Sequence, residues 1–508
     1  LSRVAKNSLI LFGFFLLQQF LVLIQLKILT NWLNKERLGE YFTLLAIAAI
    51  ISIFMQLGLP LVIARFIAKY EALSKSLHSR SLVLFSWIVV LFSGIVFLFL
   101  TILFSSKILN LIYKVPPSSY LLTWAILLNI VISFKAITYS AFYGLQKMEF
   151  PAITEGSIAL TVAFLLFLFR FQLSILNVLQ INMFANLALS IPFSLFLIFS
   201  LDRKSKDVSQ EKGLLSDIKT FWLGAALTSL LSIALNYADQ ILISLVLSFS
   251  SVAIFYLAIK VVYLSRHIIA IPLDALSPEI TRKWELNQEE NLQENLRFFA
   301  KMIFILAVLL ATVTFALAQP IIYLISNQQF KESILLLYIL ALALPLIAIF
   351  SPINYFFRAI GKISYSLLAD FIWLFGYLIC GFLFLKSKGL FGLAGAFFVV
   401  SLFLAVFNYQ RVRGFILWKI EKMFGILLCG LIITIVTLVL NNNLPISNIP
   451  KLLVGSGIAL VGYNLLIVRG KIISRDDRQK LLNLTSNESL RKLILILLTW
   501  PLGEKSKA

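Results

Sequence analysis

LVLFSWIVVLFSGIVFLFLTILF, from Leu82 to Phe104, runs 23 residues without a charge. As a helix it would extend about 35 Å, enough to cross the roughly 30 Å hydrocarbon core of a bilayer. Similar runs recur along the whole chain, near 8–30, 41–62, 120–142, 152–169, 175–199, 220–248, 252–273, 302–325, 334–357, 365–385, 392–410, 423–440 and 452–468. They lack period-2 alternation, so helices fit and a β-barrel does not. The composition agrees. Of 508 residues, 60% are hydrophobic and 13% charged, with 45 Phe and a mean hydropathy of +0.96. A soluble domain carries roughly 25% charged residues. The fold class is therefore an all-α integral membrane protein of about fourteen transmembrane helices. The first span is too long for a signal peptide and is read as retained.

The net charge of +21 is distributed by topology. With the N-terminus inside, the cytoplasmic segments hold about 31 of the Lys and Arg residues and the external loops about nine. That asymmetry predicts cytoplasmic N- and C-termini by the positive-inside rule. Nucleic-acid binding is not expected, because no extramembrane segment is large enough to host it. Cys380 and Cys429 lie in apolar runs and form no CxxC, and His78 and His267 are far apart, so no metal, cofactor or disulfide is expected. No GxxxxGK[ST] motif appears. In the tail, Thr485-Ser486-Asn487-Glu488 reads as a capping box before an apolar face of Leu490, Leu493, Ile494, Leu497 and Leu498. This predicts an amphipathic helix on the inner leaflet.

The two halves repeat at an offset near 214. Phe142-Tyr143-Gly144-Leu145-Gln146-Lys147 aligns with Phe357-Arg358-Ala359-Ile360-Gly361-Lys362, and Glu155 with Asp370. Leu38-Gly39-Glu40-Tyr41 aligns with Val252-Ala253-Ile254-Phe255. Six spans precede the second copy, so the copies are parallel and related by an axis along the membrane normal. The expected organisation is a six-helix bundle at 1–201, a cytoplasmic linker at 202–219, a second six-helix bundle at 220–410, two additional helices at 411–468, and a cytoplasmic tail at 469–508.

Five charges fall inside spans: Lys27, Lys135, Asp239, Lys260 and Arg266. Each would cost about 2.5–3.5 kcal/mol at mid-bilayer on insertion scales, so they face water, a partner or a substrate. Four are cations, and a cavity lined by them suits an anion such as phosphate. Lys260, Arg266, Lys135 and Arg65 are the candidate cavity cations. Lys27 and Asp239 lie about twenty residues into spans one and seven, at equivalent repeat positions with opposite charge. They are the candidate outer gate of an inward-facing state, with snorkelling of Lys27 the competing account. Glu155 and Asp370, near the starts of their helices, read as compensation of the helix N-terminus. His267 reads as a packed interfacial residue.

Several short motifs, in this order and spacing, carry a resemblance. They are Leu38-Gly39-Glu40-Tyr41, Gln56-Leu57-Gly58-Leu59, Ala64-Arg65-Phe66-Ile67-Ala68, Gly144-Leu145-Gln146-Lys147, Asn236-Tyr237-Ala238-Asp239 and Pro278-Glu279-Ile280-Thr281-Arg282. With them the chain resembles the polysaccharide-flippase (Wzx-type) branch of the multidrug/oligosaccharidyl-lipid/polysaccharide exporter superfamily, over spans one to twelve. Ala253 and Phe255 depart from it, standing where the family tends to have Gly and Tyr. The resemblance implies a MATE-like pair of bundles in a bacterial inner membrane. It also implies transport, by alternating access, of undecaprenyl-pyrophosphate-linked oligosaccharide from inner to outer leaflet, as in O-antigen and lipopolysaccharide synthesis. Lipid-linked oligosaccharide and membrane lipids are then the expected partners, with polysaccharide polymerase machinery a further one. Outward movement of two negative charges would be favoured by about 4–5 kcal/mol per 100 mV. A lipid II flippase and a cation-coupled drug or metabolite exporter are the alternatives of the same fold. The exporter would be expected to line its cavity with carboxylates. A membrane enzyme is not expected, for no large loop or domain could carry its catalytic groups.

Overall fold

A computed structural model describes residues 2–72, 76–112, 116–201, 214–286, 289–415, 420, 422–444 and 447–483. Contacts group the chain into two compact units, Asn7–Tyr256 and Leu257–Ala508, the second also holding Leu1–Lys6. The first unit is built from α1 (Ser2–Trp32), α2 (Lys35–Gln56), α3 (Leu59–Ala72), α4 (Ser76–Ile112), α5 (Ser119–Gly144), α6 (Glu149–Leu168), α7 (Ile175–Ser200), α8 (Leu214–Val246) and the opening of α9 (Phe249–Glu285). The second holds the rest of α9, then α10 (Glu289–Ala316), α11 (Ala318–Ile325), α12 (Glu332–Ala341), α13 (Leu344–Ala359), α14 (Ile363–Val412), α15 (Met423–Asn443), α16 (Asn448–Arg469) and α17 (Arg475–Asn483). No strand occurs among the described residues.

Among the exposed residues of α4 are Phe85, Ile88, Phe92, Ile95, Phe99 and Ile102. They recur at steps of three and four and so share one helix face. Val83, Ser86 and Val90 are fully buried. An apolar outer face over a core that admits hydroxyls is stable only with hydrocarbon as solvent. Ser86 Oγ satisfies itself on the Leu82 carbonyl at 2.8 Å.

Twelve helices are each long and apolar enough to cross a membrane, and α12 with α13 makes a thirteenth across a 48° bend. The 50 residues of α14 would reach about 75 Å as one helix. Instead Gly389 leaves helical geometry (φ 59°, ψ −144°), and a Cβ on Gly392 would meet the Phe384 carbonyl oxygen at 2.0 Å. The chain doubles back there, so that Arg411 of the second arm donates to the Tyr365 carbonyl of the first.

Three expected spans are broken inside. The α12–α13 bend comes just before Pro345, whose ring excludes the Ala341 carbonyl. Helix α10 ends at Ala316, four residues before Pro320, by the same mechanism. The span expected at 41–62 breaks at Leu57 (φ 46°) and Gly58 (φ 75°). The freed groups there are held by side chains. Ser93 Oγ donates to the Met55 carbonyl at 3.0 Å, Trp222 Nε1 donates to the Leu57 carbonyl, and Gln56 Nε2 donates to Ser133 Oγ at 2.9 Å. A Cβ on Gly58 would sit 2.5 Å from the Ala226 backbone nitrogen. Span seven, expected to open the second bundle, is α8. It packs on α2 and α3 within the first unit through this contact.

The repeat is visible in local geometry. Asn34 and Ser248, 214 apart, begin α2 and α9, and each accepts the N–H three residues on. Gln146 (φ 57°) and Gly361 (φ 76°), 215 apart, both adopt left-handed backbone. Beside them Lys147 N–H donates to the Phe142 carbonyl and Lys362 N–H to the Phe357 carbonyl, each at 2.9 Å.

The expected amphipathic segment from Thr485 and most of the 202–219 linker lie outside the described residues. Before them, α17 docks on α10. Lys301 Nζ lies 2.6 Å from Asp477 Oδ2, and Lys480 Nζ donates to Glu294 Oε1. Ser474 N–H donates to Asp477 at 2.8 Å. Burial alone would raise the Asp477 carboxyl, but the hydrogen bonds from Lys301 and Ser474 outweigh it and hold it below 3.8. A depressed carboxylate stabilises docking above its unfolded value and loses that contribution as pH falls through the folded one.

Two outcomes follow for folding. Gly58→Ala should lower stability by about 1–3 kcal/mol, read as a lower melting temperature of the purified protein, while Gly224→Ala, with open space around it, should not. A spin label at exposed Gln479 should be immobile at neutral pH and become mobile only in acid, as pH falls through the lowered carboxyl value of Asp477. With Asp477→Asn it should be mobile throughout.

Candidate functional site

The intramembrane charges divide into two groups, one satisfied and one not. In the first unit, Lys135 on α5 is 8% exposed. Its Nζ lies 2.7 Å from Glu155 Oε1 on α6 and donates to Asn186 Oδ1 on α7 at 2.8 Å. Gln18 of α1 donates to the other carboxylate oxygen of Glu155 at 3.3 Å. One polar network thus ties four helices. Two expectations are corrected. Lys135 is not an uncommitted cavity cation, and Glu155 neutralises it rather than compensating a helix terminus. The reason is geometric: six residues into α6 the carboxylate is past the unpaired N–H groups of the first turn and beside a buried ammonium.

Arg65 on α3 stacks its guanidinium 4.3 Å over the Phe221 ring and meets no carboxylate among the described residues. Lys27 is half-buried on α1. Asp239 on α8 is fully buried. Its Oδ1 accepts the Gln240 N–H at 2.9 Å and its Oδ2 has no hydrogen-bond partner. Tyr237 and Tyr256 are its electrostatic neighbours. The expected Lys27–Asp239 ion pair is therefore not formed in this structure: the chain turns Asp239 toward tyrosines.

A different contact joins the starts of α2 and α9 within the first unit. The Phe42 and Tyr256 rings stack with centroids 3.7 Å apart. Gly39 packs so tightly that a Cβ there would lie 1.7 Å from the Phe249 carbonyl oxygen. The sequence reading missed this pair although its signal was present. The aligned tetrads 38–41 and 252–255 stop one residue short of Phe42 and Tyr256, which are equivalent at offset 214. The same unit holds an apolar cavity of about 590 Å³ lined by Ile47, Ile50, Phe97, Phe104, Ile241 and Leu245 among others.

In the second unit, Lys260 and Arg266 on α9 are both electrostatic neighbours of His267. Neither makes a hydrogen bond or ion pair among the described residues. Arg266 is also within electrostatic reach of Asp370. That carboxylate is bound by Arg358 Nη2 at 2.8 Å, and Arg358 Nε donates to Ser366 Oγ at 2.6 Å. Asp370 is thus paired rather than compensating a helix terminus, which corrects its reading as well. The cluster contains three cations and one carboxylate. Arg358 was quoted in the sequence only as a repeat marker; no spacing rule links it to Arg266 almost a hundred residues earlier.

Comparisons with known proteins place this geometry. A family model described as polysaccharide biosynthesis protein matches residues 4–284, and one described as MatE matches 224–385. A search by sequence among curated proteins finds no match. Among solved structures, the lipid II flippase MurJ in an inward closed conformation aligns with TM-score 0.72 at 18% identity, covering 93% of this chain and 99% of that one. An inward-facing multidrug resistance MATE family transporter of the MOP superfamily aligns at 0.66 and 17%, covering 82% and 98%. A MOP superfamily transporter from Pyrococcus furiosus, described as having a binding pocket of reverse polarity, aligns at 0.60 and 18%, covering 83% and 96%. These likenesses show the fold.

Removing one member of a buried ion pair leaves the other uncompensated, at about 3–5 kcal/mol when burial is complete. Glu155 is 29% exposed in its side chain, so Lys135→Met should cost less, about 1–3 kcal/mol. The double change Lys135→Met with Glu155→Met should recover most of the loss in a thermal melt. Equal losses from the single and double variants would show that the pair contributes only packing.

Proposed function

The chain belongs to the polysaccharide biosynthesis protein family, and from that premise we propose that it is a flippase for undecaprenyl-pyrophosphate-linked oligosaccharide. It acts in a bacterial inner membrane, with both termini cytoplasmic, and moves the lipid from inner to outer leaflet by alternating access. The observation that carries this reading is the pair Lys260 and Arg266. Two intramembrane cations that form no direct ion pair are costly unless something anionic visits them. A pyrophosphate brings two or more negative charges and accepts from both ammonium and guanidinium. Arg358 lies in the same cluster, its charge shared with Asp370. Arg65, stacked but unpaired, is a further candidate contact, while Lys135 is assigned to holding the first unit together.

The apolar cavity of the first unit supports a substrate with a long hydrocarbon tail, whose chain can rest there or in lipid. The Gly39–Phe249 and Phe42–Tyr256 contacts are assigned to closing the side opposite the N-terminus. The Lys27–Asp239 pair remains a proposal only for another state of the cycle. An exporter of cationic drugs fits less well, since Lys260 and Arg266 would repel its cargo. Lipid II, the cargo printed for one structural neighbour, has the same anionic chemistry and is the second reading.

The test uses a strain lacking its polysaccharide flippase. Lys260→Ala and Arg266→Ala should each cut surface glycan by about tenfold or more at equal protein level, the loss of one charge-assisted contact. Full complementation by both variants would sink the proposal. Rescue of a strain depleted of its lipid II flippase, with no rescue of glycan display, would transfer the function to lipid II.

A further inference from the structure

A second group of cations sits at one end of the second unit, where α13 ends and both arms of α14 terminate. Phe357, Tyr365 and Phe415 form a three-ring cluster with centroids 4.9 to 5.4 Å apart. It rests on a buried core that includes Leu296, Phe356, Ile360 and Val412. Two cations lie on the rings. Lys362 Nζ is 4.1 Å from the Phe415 centroid. The Arg411 guanidinium is 4.3 Å from that of Tyr365, with one N–H spent on the Tyr365 carbonyl at 3.1 Å. Arg413 follows, 5.2 Å from the Tyr409 ring.

None of the three meets a carboxylate among the described residues. From Leu344 to Phe415 the sequence contains a single acid, Asp370, and Arg358 holds it. Surface cations that merely mark topology wave in solvent. These two are fixed by aromatic faces, which removes in advance much of the rotamer freedom that binding would otherwise cost. The ammonium of Lys362 and most guanidinium donors of Arg411 stay uncommitted.

The surface beside them is apolar. Val399, Leu402, Phe403 and Val406 are exposed on α14. At steps of three and four, this stripe leads to Arg413. A cationic head group over an apolar stripe matches an amphiphile with an anionic head, not a soluble anion.

We propose that Lys362 and Arg411, with Arg413 at the rim, form a binding site for the phosphate head group of a membrane lipid, its chain lying along the α14 stripe. The site is separate from the transport reading and does not rest on it. Bilayer phospholipid and a polyprenyl phosphate carrier share the required chemistry, and the experiment separates them.

The full-length protein in detergent is titrated by native mass spectrometry with dioleoyl phosphatidic acid, undecaprenyl phosphate and inorganic pyrophosphate. The wild type should bind at least one of the two lipids, and the tighter one identifies the source. Lys362→Gln with Arg411→Gln should weaken that binding at least about tenfold. The charge-preserving pair Lys362→Arg with Arg411→Lys should retain most of it, which controls for folding. Lys386→Gln, at the opposite end of the first arm of α14, should change nothing. Failure of the wild type to bind either lipid would overturn the proposal. So would pyrophosphate binding as tightly as the lipids, or undiminished binding by the glutamine double variant.

Discussion

A backbone carbonyl released in hydrocarbon costs several kcal/mol unless the protein itself supplies a donor. The first unit releases such groups at Leu57–Gly58, and Ser93 and Trp222 are recruited to that spot from α4 and α8, with a Gln56–Ser133 side-chain bond to α5 beside them. The break therefore gathers helices as well as interrupting one. Because Trp222 and Ala226 belong to α8, satisfying the break draws span seven onto α2 and α3. A span that the repeat assigns to the second copy thus packs within the first unit.

The same rule, applied to charge, separates structure from site. Glu155 and Asp370 are equivalent in the repeat and each holds a cation, but the cation differs. Lys135 corresponds to Phe350, and Arg358 to Tyr143, so the partner has moved two turns along the equivalent helix. In the first unit the ammonium is enclosed and shared with Asn186. In the second the guanidinium is 45% exposed and Arg266 stands within electrostatic reach. Divergence of the two copies has left one acid neutralising a buried structural pair and the other set within a cationic surface. Two intact pairs would have produced no net positive cluster.

The membrane-spanning helices were legible because each is a long window of apolar residues, a property of the chain alone. The breaks were less so. Pro320 and Pro345 stand in plain view, but apolar neighbours on both sides make their runs read as continuous. Leu57 carries no hint of a left-handed backbone, since only the approach of Ala226 to Gly58 demands it. The charges were legible as anomalies, yet their partners were not. Lys135 and Glu155 sit on different helices, and only packing says that the pair is closed while Lys260 and Arg266 stay open. The Lys27–Asp239 expectation rested on equivalent depth, which fixes height in the membrane but not the direction a side chain turns.

Equivalence has a sharper use. When a residue touches its own repeat equivalent, the contact must lie on the axis relating the two copies, as at an isologous interface. Phe42 and Tyr256 are 214 apart, the offset that relates the Asn34 and Ser248 caps, and their rings stack. The two hairpin ends thus meet through equivalent residues. The neighbouring contact breaks the symmetry. Gly39 admits the Phe249 carbonyl, whereas its equivalent Ala253 carries the Cβ that Gly39 lacks. One of the two equivalent positions permits backbone to touch backbone and the other carries a Cβ. A closure built this way needs no buried charge pair to hold it. The stacking of this ring pair contributes about 0.5–1.5 kcal/mol beyond its area burial. A desolvated Lys–Asp pair at the same place would resist opening far more strongly. The fully buried Asp239, seven residues before the end of α8, is an electrostatic neighbour of Tyr256 rather than the partner of Lys27.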